Sequence, residues 1–518
     1  MSAALRPRAS FDVVVVGAGS AGATLAARLS EDPSRDVLLV EAGPDWRSAT
    51  ADPAIRSADS LGMMDAARFP QYQWVGLTAR RTGVQDVVPY VRGRGLGGSS
   101  TVNGQAAIRP PLEEFATWVE AGCTGWGPDD VLPAFVSLEC DLDVPAGPYH
   151  GDTGPLPISR PAPGTNGPLD EAFATAVRAE GFPWVEDHNA PGAVGLSPLA
   201  WNARDGRRVT TNDAFLDPVR DRPNLTVVGD APVDRVLLEG TTAVGVRVRV
   251  AGEWVDVEAG EVVLSAGAAF SPAILQRSGI GPADLLAELG IPTVASLPVG
   301  DAAQEHPVLP LVLRLRRRAV PPSGRHMNSV LRYTSSHPES SIGDLQMSVV
   351  RSYPDPELGA VYAKVNRCRA TGRVRLTGAG PDALPAIELG MLDDPVDAAL
   401  ARQVVRDGFR LARAAVRAGE VLDVRGPDGG EVPVGGSDAE LDAWALHAAV
   451  EGAHLSGTCR MGAPDAPTTV VDPDCRVLGI EGLRVVDLSI TPTVPRANTH
   501  LCAVMIGELV ASRWPDGR

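Results

Sequence analysis

Cysteine is scarce and unpatterned. The six cysteines, Cys123, Cys140, Cys368, Cys459, Cys475 and Cys502, are scattered without a CxxC pair or any pairing rhythm. That spacing excludes a zinc ribbon and a disulfide-stapled scaffold, predicts no metal site, and fits a reducing compartment. Long apolar runs are missing too. None reaches the ~18–20 residues that a bilayer crossing needs, so no membrane span is expected. The opening MSAALRPRASF carries arginines but no apolar stretch, and does not read as a secretory signal. A cytoplasmic protein is expected. Positive charge is in deficit: the formal net charge of -17 repels phosphate backbones and excludes nucleic acid as a partner. Internal repeats and low-complexity tracts are absent, which excludes a solenoid.

What is present is the composition of a folded chain. Hydrophobic residues make up 44% and charged residues 21% of 518 positions, enough for one two-lobed body or two to three domains. The first informative stretch starts at Asp12, where four valines run into a glycine turn, an Ala/Leu-rich segment and then DVLLVE. This predicts a strand, helix, strand unit, and the unbroken valine run predicts a strand covered on both faces, as in a parallel sheet.

Gly17, Gly19 and Gly22 form GxGxxG directly after that strand, with Ser20 and Ala21 at the start of the helix. Glu41 ends the next strand, 19 residues beyond Gly22. Glycine permits the tight turn and the close approach to a pyrophosphate, the helix N-terminus attracts phosphate, and Glu41 can accept from a ribose hydroxyl. The spacing predicts a bound dinucleotide without distinguishing FAD from NAD.

Further along, residues 44–93 predict irregular loops. Residues 141–206 are rich in proline and glycine, with a helix expected over Leu169–Glu180. The runs Asn224–Val250 and EWVDVEAGEVVLSAG predict strands returning to the first sheet. From Val308 to about Arg425, alternating segments such as LVLRLRRR and a helix over Val396–Ala418 predict a second, sheet-and-helix unit.

Gly93–Asn103 packs four glycines and three hydroxyls into eleven residues, including Arg94, Gly97, Ser99, Val102 and Asn103. Taken alone it is a turn-rich loop able to bring backbone N–H groups against a ligand. It also resembles the first signature of the glucose-methanol-choline (GMC) oxidoreductases. Gly267–Pro282 resembles the second, and GAGSAG, GDTGP at Gly151–Pro155, HLSGTCRMG at His454–Gly462 and Leu483–Pro495 add to the resemblance.

The resemblance implies a mixed α/β (α+β) fold with a Rossmann-like FAD-binding domain of discontinuous segments, residues 1–155, 207–307 and 451–518. A substrate domain is implied over 156–206 and 308–450. It further implies FAD contacts at the glycine turn, Glu41, the Arg94–Asn103 loop, Val233, Asp487 and His500. FAD is implied to be noncovalent, because Val102 stands where members with a covalent link carry histidine.

By the same resemblance His454 is the base that takes the hydroxyl proton of an alcohol while its carbinol hydride is removed, and Asn498 is its partner. A neutral imidazole suits that role near neutral pH. The His/Asn pair is closer to choline and hydroxymethylfurfural oxidase-like members than to glucose oxidase. A shift of two residues would instead pair His500 with His454. The implied substrate is a small primary alcohol, aldehyde hydrate or sugar, with oxygen or another electron acceptor closing the cycle; a hydroxynitrile-type lyase is the distant alternative. His150, His188, His326, His337 and His447 read as structural, as does His306 in its EHP turn. At residues 299–306 the family's Gly-x-Asn-Leu pattern is altered by Asp301 and Ala302, so a changed turn is expected there.

Overall fold

Four consecutive valines can be satisfied on both faces only inside a covered sheet. The computed structural model, which describes residues 10–57, 61–316, 324–351, 355 and 357–515, places them there. Strand β1 (Ser10–Val16) lies between β2 (Val37–Val40) and Glu253–Leu264, parallel to both, and Leu225–Val228 continues the parallel run beyond β2. Val233–Glu239, Thr242–Val250 and Glu253–Leu264 form an antiparallel meander on the other side, and Leu483–Val485 closes this seven-stranded sheet. The strands expected to return to the first sheet therefore do so.

Helix α1 (Ser20–Leu29) is almost wholly buried between this sheet and the C-terminal helix His500–Ser512. A side chain on Gly507 would stand 2.6 Å from the Ala21 carbonyl oxygen, so glycine there sets how closely the two helices pack.

A second seven-stranded, antiparallel sheet is ordered Val421–Arg425, Pro307–Leu315, Leu358–Val365, Leu345–Arg351, Ser329–Tyr333 and Gly195–Pro198, with Val450–Glu451 also paired to Pro307–Leu315. The two-residue period of its strands separates two surfaces. Leu345, Met347, Val349, Val361, Ala363 and Val365 pack in one core with the long helix Pro395–Ala418. Gln346, Ser348, Val350, Tyr362 and Lys364 face the other way, into a cavity. The long helix starts at Asp394, whose carboxylate accepts from Val396 N at 2.8 Å, and stops at Gly419 with φ +89.

The loops expected over 44–93 contain short 3-10 turns and two three-residue strands, Thr78–Arg80 and Val87–Pro89. These join Arg373–Leu376 and Pro385–Glu388 in a four-stranded sheet. Helices Pro168–Ala179 and Pro395–Ala418 match the expected ones within a residue or two. The opening segment 1–9 and the end of LVLRLRRR lie outside the described residues.

Candidate active site

A cavity of about 770 Å³ runs between the two sheets, a size within the rough 300–1,000 Å³ range of ligand pockets. Its far end is the glycine turn after β1. Gly17 has φ +101, and a Cβ there would stand 2.5 Å from Ser265 O. Gly98, φ +50, lies so near Gly19 that its own Cβ would come within 2.6 Å of the Gly19 Cα. The two glycine-rich segments thus form one cradle, and α1 enters it with no side-chain cap on its N-terminus.

Glu41 closes this end. Its carboxylate accepts from Gly43 N and Gly95 N on one oxygen and from Ala18 N on the other, at 2.8 to 3.0 Å. It therefore ties the two glycine segments together, and the oxygen with a single partner keeps a lone pair for a ribose hydroxyl. Bare backbone, an uncapped helix end and a buried carboxylate fit a dinucleotide.

Gly17, Gly19, Ser20, Ala21, Glu41, Arg94, Ser99, Val102, Asn103, Val233, Asp487 and His500 all line the cavity. Gly22 and Gly97 do not. Gly22 sits behind the turn, where a Cβ would meet Gly17 O at 2.0 Å, and Gly97 holds its loop in a left-handed conformation, φ +86. Asp487 is engaged by the protein, accepting from Ser271 Oγ at 2.5 Å and Gly267 N at 2.9 Å.

His454 and Asn498 meet at the other end. Asn498 Nδ2 is 3.4 Å from His454 Nε2, and Asn498 Oδ1 accepts from Gln346 Nε2, also at 3.4 Å. His500 does not share this pair. It begins the C-terminal helix, and its Nδ1 is 3.0 Å from Ser20 Oγ, while its Nε2 is buried without a partner among the described residues. Burial, then Arg208, pulls its pKa down to about 4.

His306, expected to be structural, lies directly behind His454. His306 Nε2 is 2.9 Å from the Asn366 carbonyl oxygen, and His306 Nδ1 is 2.9 Å from His454 Nδ1. Burial, and then the charge of Lys364, hold both imidazoles well below their ordinary pKa, so both are neutral. A carbonyl only accepts, so the His306 proton sits on Nε2. His306 Nδ1 must then accept, and His454 carries its proton on Nδ1. The lone pair of His454 is left on Nε2, in the cavity beside Asn498.

Pairing of strands makes this contact. Pro307 and Val308 pair with Glu451 and Val450, and Gln304 bridges Ser456, which sets His306 beside His454 across 148 sequence positions. Glu305 completes the support: its buried carboxylate accepts from the backbone N–H of His454 and His306 and from Tyr90 Oη. Burial pushes its pKa up to about 7. The altered turn before it is ordered by Gly300, φ +90, whose N–H donates to Thr458 O at 2.7 Å, and by an ion pair of Asp301 with Arg375.

A dinucleotide cradle opening onto an unprotonated imidazole nitrogen defines a class, the cofactor-dependent oxidoreductases. Two models of GMC oxidoreductase, an N-terminal and a C-terminal one, match residues 11–308 and 368–507. The chain is 35% identical over 527 residues to the 5-(hydroxymethyl)furfural oxidase of Methylovorus sp., covering 97% of this chain and 98% of that one. It is 34% identical over 538 residues to the mitochondrial choline dehydrogenase of Mus musculus, covering 97% and 89%. The crystal structure of pyridoxine 4-oxidase from Mesorbium loti superimposes with a TM-score of 0.87 at 31% identity, covering 97% of this chain and 99% of that one. The chain belongs to the GMC oxidoreductase family, and so to the FAD-dependent oxidoreductases that act on CH–OH donors.

Proposed function

We propose that this protein is an oxidase of small alcohols in which His454 is the base and Asn498 its partner. The observation that carries the reading is the His306–His454 pair, which presents an unprotonated Nε2 to the cavity. An alcohol whose hydroxyl replaces the long Asn498–His454 bond would donate its proton to His454 Nε2 and accept from Asn498 Nδ2. The forming alkoxide is then held by a neutral donor while the imidazole takes up the proton. FAD, when bound, supplies the two-electron acceptor for the carbinol carbon. The glycine cradle, Glu41 and the N-terminus of α1 would hold its dinucleotide part.

Noncovalent attachment is supported by Val102, an alkyl side chain that lines the cavity at the position where, by the resemblance, members linked through this loop carry histidine. Oxygen as the acceptor is supported by the two relatives named as oxidases. The primary-alcohol, aldehyde-hydrate and sugar classes remain the substrate range. Six unpaired cysteines support a cytoplasmic location, and no helix among the described residues is long and apolar enough to cross a membrane.

The test is an anaerobic screen of alcohols and sugars against the yellow protein, followed by air. Bleaching with rapid, peroxide-forming return of colour is the expected result. Slow return in air would make the protein a dehydrogenase, and no bleaching by any alcohol would overturn the reading. Acid precipitation is expected to leave the yellow colour in the supernatant.

A further inference from the structure

Lys364 is the only lysine of the 518-residue sequence; every other residue of the 47 counted as Lys or Arg is arginine. It sits on Leu358–Val365, among the residues that wall the cavity, and is 4% exposed. Its Nζ is buried and has no hydrogen-bond partner among the described residues, although an ammonium carries three donors. No carboxylate of the described residues forms an ion pair with it.

The sheet register defines its surroundings. Lys364 pairs with Gln346 on one side and Val308 on the other, and Gln346 pairs in turn with Arg332. This row therefore carries two cations flanking Gln346 and no acid. Gln346 contacts Asn498, which contacts His454, so Lys364 stands one cross-strand step from the polar side chains that would hold the reacting hydroxyl. Opposite residues of neighbouring strands are about 5 Å apart at Cβ.

The other ionisable groups facing Lys364 do not neutralise it. His306 and His454 are neutral, and Cys368 is a buried thiol held well above its usual pKa. The Glu305 carboxylate, held by Tyr90 and two backbone N–H groups, favours the charged lysine from a distance but forms no ion pair with it. A buried ammonium with three free donors and no contacting carboxylate is costly unless a ligand supplies one.

We infer that Lys364 anchors a carboxylate carried by the alcohol that this cavity oxidises, a short hydroxy acid or an aromatic alcohol with an acid group. The inference rests on the alcohol-oxidising reading above. The carboxylate replaces the missing acceptor, and the hydroxyl a few bonds away reaches His454 and Asn498. Burial, then Arg332, lowers the Lys364 pKa to about 7. The free amine is therefore charged below about pH 7 and neutral above it, and its hold on an anion fades as pH rises.

The experiment uses the FAD-loaded enzyme with glycolate, 4-hydroxybutanoate and 4-(hydroxymethyl)benzoate, each beside its primary amide. At least one acid is expected to exceed its amide by roughly tenfold in kcat/KM, chiefly through KM. That advantage should decline from pH 6 to pH 9, a trend absent from the amide. In Lys364→Met the advantage is expected to collapse, and Lys364→Arg should recover part of it. Flavin absorbance and Tm report whether each variant is folded; if Lys364→Met is not, the wild-type pH trend decides. An acid advantage that survives Lys364→Met, or that does not change with pH, overturns the anchor. So does oxidation of the amides with no acid preferred, which leaves the alcohol-oxidising reading intact. Reduction by no alcohol at all overturns both.

Discussion

An imidazole serves as a base only when its lone pair points at the proton to be taken. In this protein that orientation comes from His306, which accepts the proton of His454 Nδ1 because its own is held by Asn366 O. Replacing His454 with glutamine should lower the rate of anaerobic flavin bleaching by about 10²–10⁴-fold with flavin retained; a loss below tenfold would remove His454 from the chemistry. Asn498→Ala should cost roughly 10²-fold, since it deletes one donor to the forming oxyanion. His306→Leu leaves the tautomer of His454 unspecified and should slow bleaching about tenfold without displacing FAD. The pH dependence has a definite sign. A histidine held below its ordinary pKa is already neutral at pH 6.5, so imidazole protonation should slow bleaching only at lower pH. A rate limb from His454 centred above pH 7, seen in wild type and lost in His454→Gln, would contradict the burial argument. EHP reads from the chain as an ordinary turn, because nothing local says that its partner lies 148 positions away.

At the scale of elements, the unit from β1 through α1 to β2 is set by local chemistry. Gly22 lets the first turn of α1 close over Gly17. Gly22→Val puts a Cβ 2.0 Å from Gly17 O, so the turn must open and the protein should be purified colourless or FAD-poor. A fully yellow Gly22→Val protein would show that the turn is not where FAD is held. A second element-scale device joins the segment after Pro128–Leu138 to the loop at Asp187. His150 Nδ1 is 3.0 Å from Glu139 and its Nε2 is 3.0 Å from Asp187, and these bonds raise its pKa to about 9. A histidine raised in the folded state stabilises fully below its ordinary pKa of about 6.5 and loses that contribution as pH rises through 9. The Tm of wild type should therefore fall toward that of His150→Gln between pH 6.5 and pH 10. Parallel Tm curves would refute the role of His150. Period-2 and helical patterns made the long elements legible, whereas Thr78–Arg80 and Val87–Pro89 are too short to signal themselves and exist because Pro385–Glu388 pairs beside them.

At the scale of the whole molecule, the cavity is shared: the cradle comes from the first sheet and the opposite wall from the second. A ligand that binds only the folded chain stabilises it by mass action, by about 2.7 kcal/mol at a hundredfold excess over Kd. Stripping FAD should therefore lower Tm, and adding it back should restore both Tm and colour; an unchanged Tm would place the dinucleotide outside this cavity. The sequence by itself determined the βαβ unit and its glycine turn, whose residues lie close together in the chain, and its motifs led by resemblance to the family and to the expected His454/Asn498 pair. Only the tertiary structure decided that His306 orients His454, that His500 turns to Ser20, and that the single lysine lines the cavity with no ion-pair partner among the described residues. Strand register makes those contacts, and register is a property of paired strands that no single segment carries.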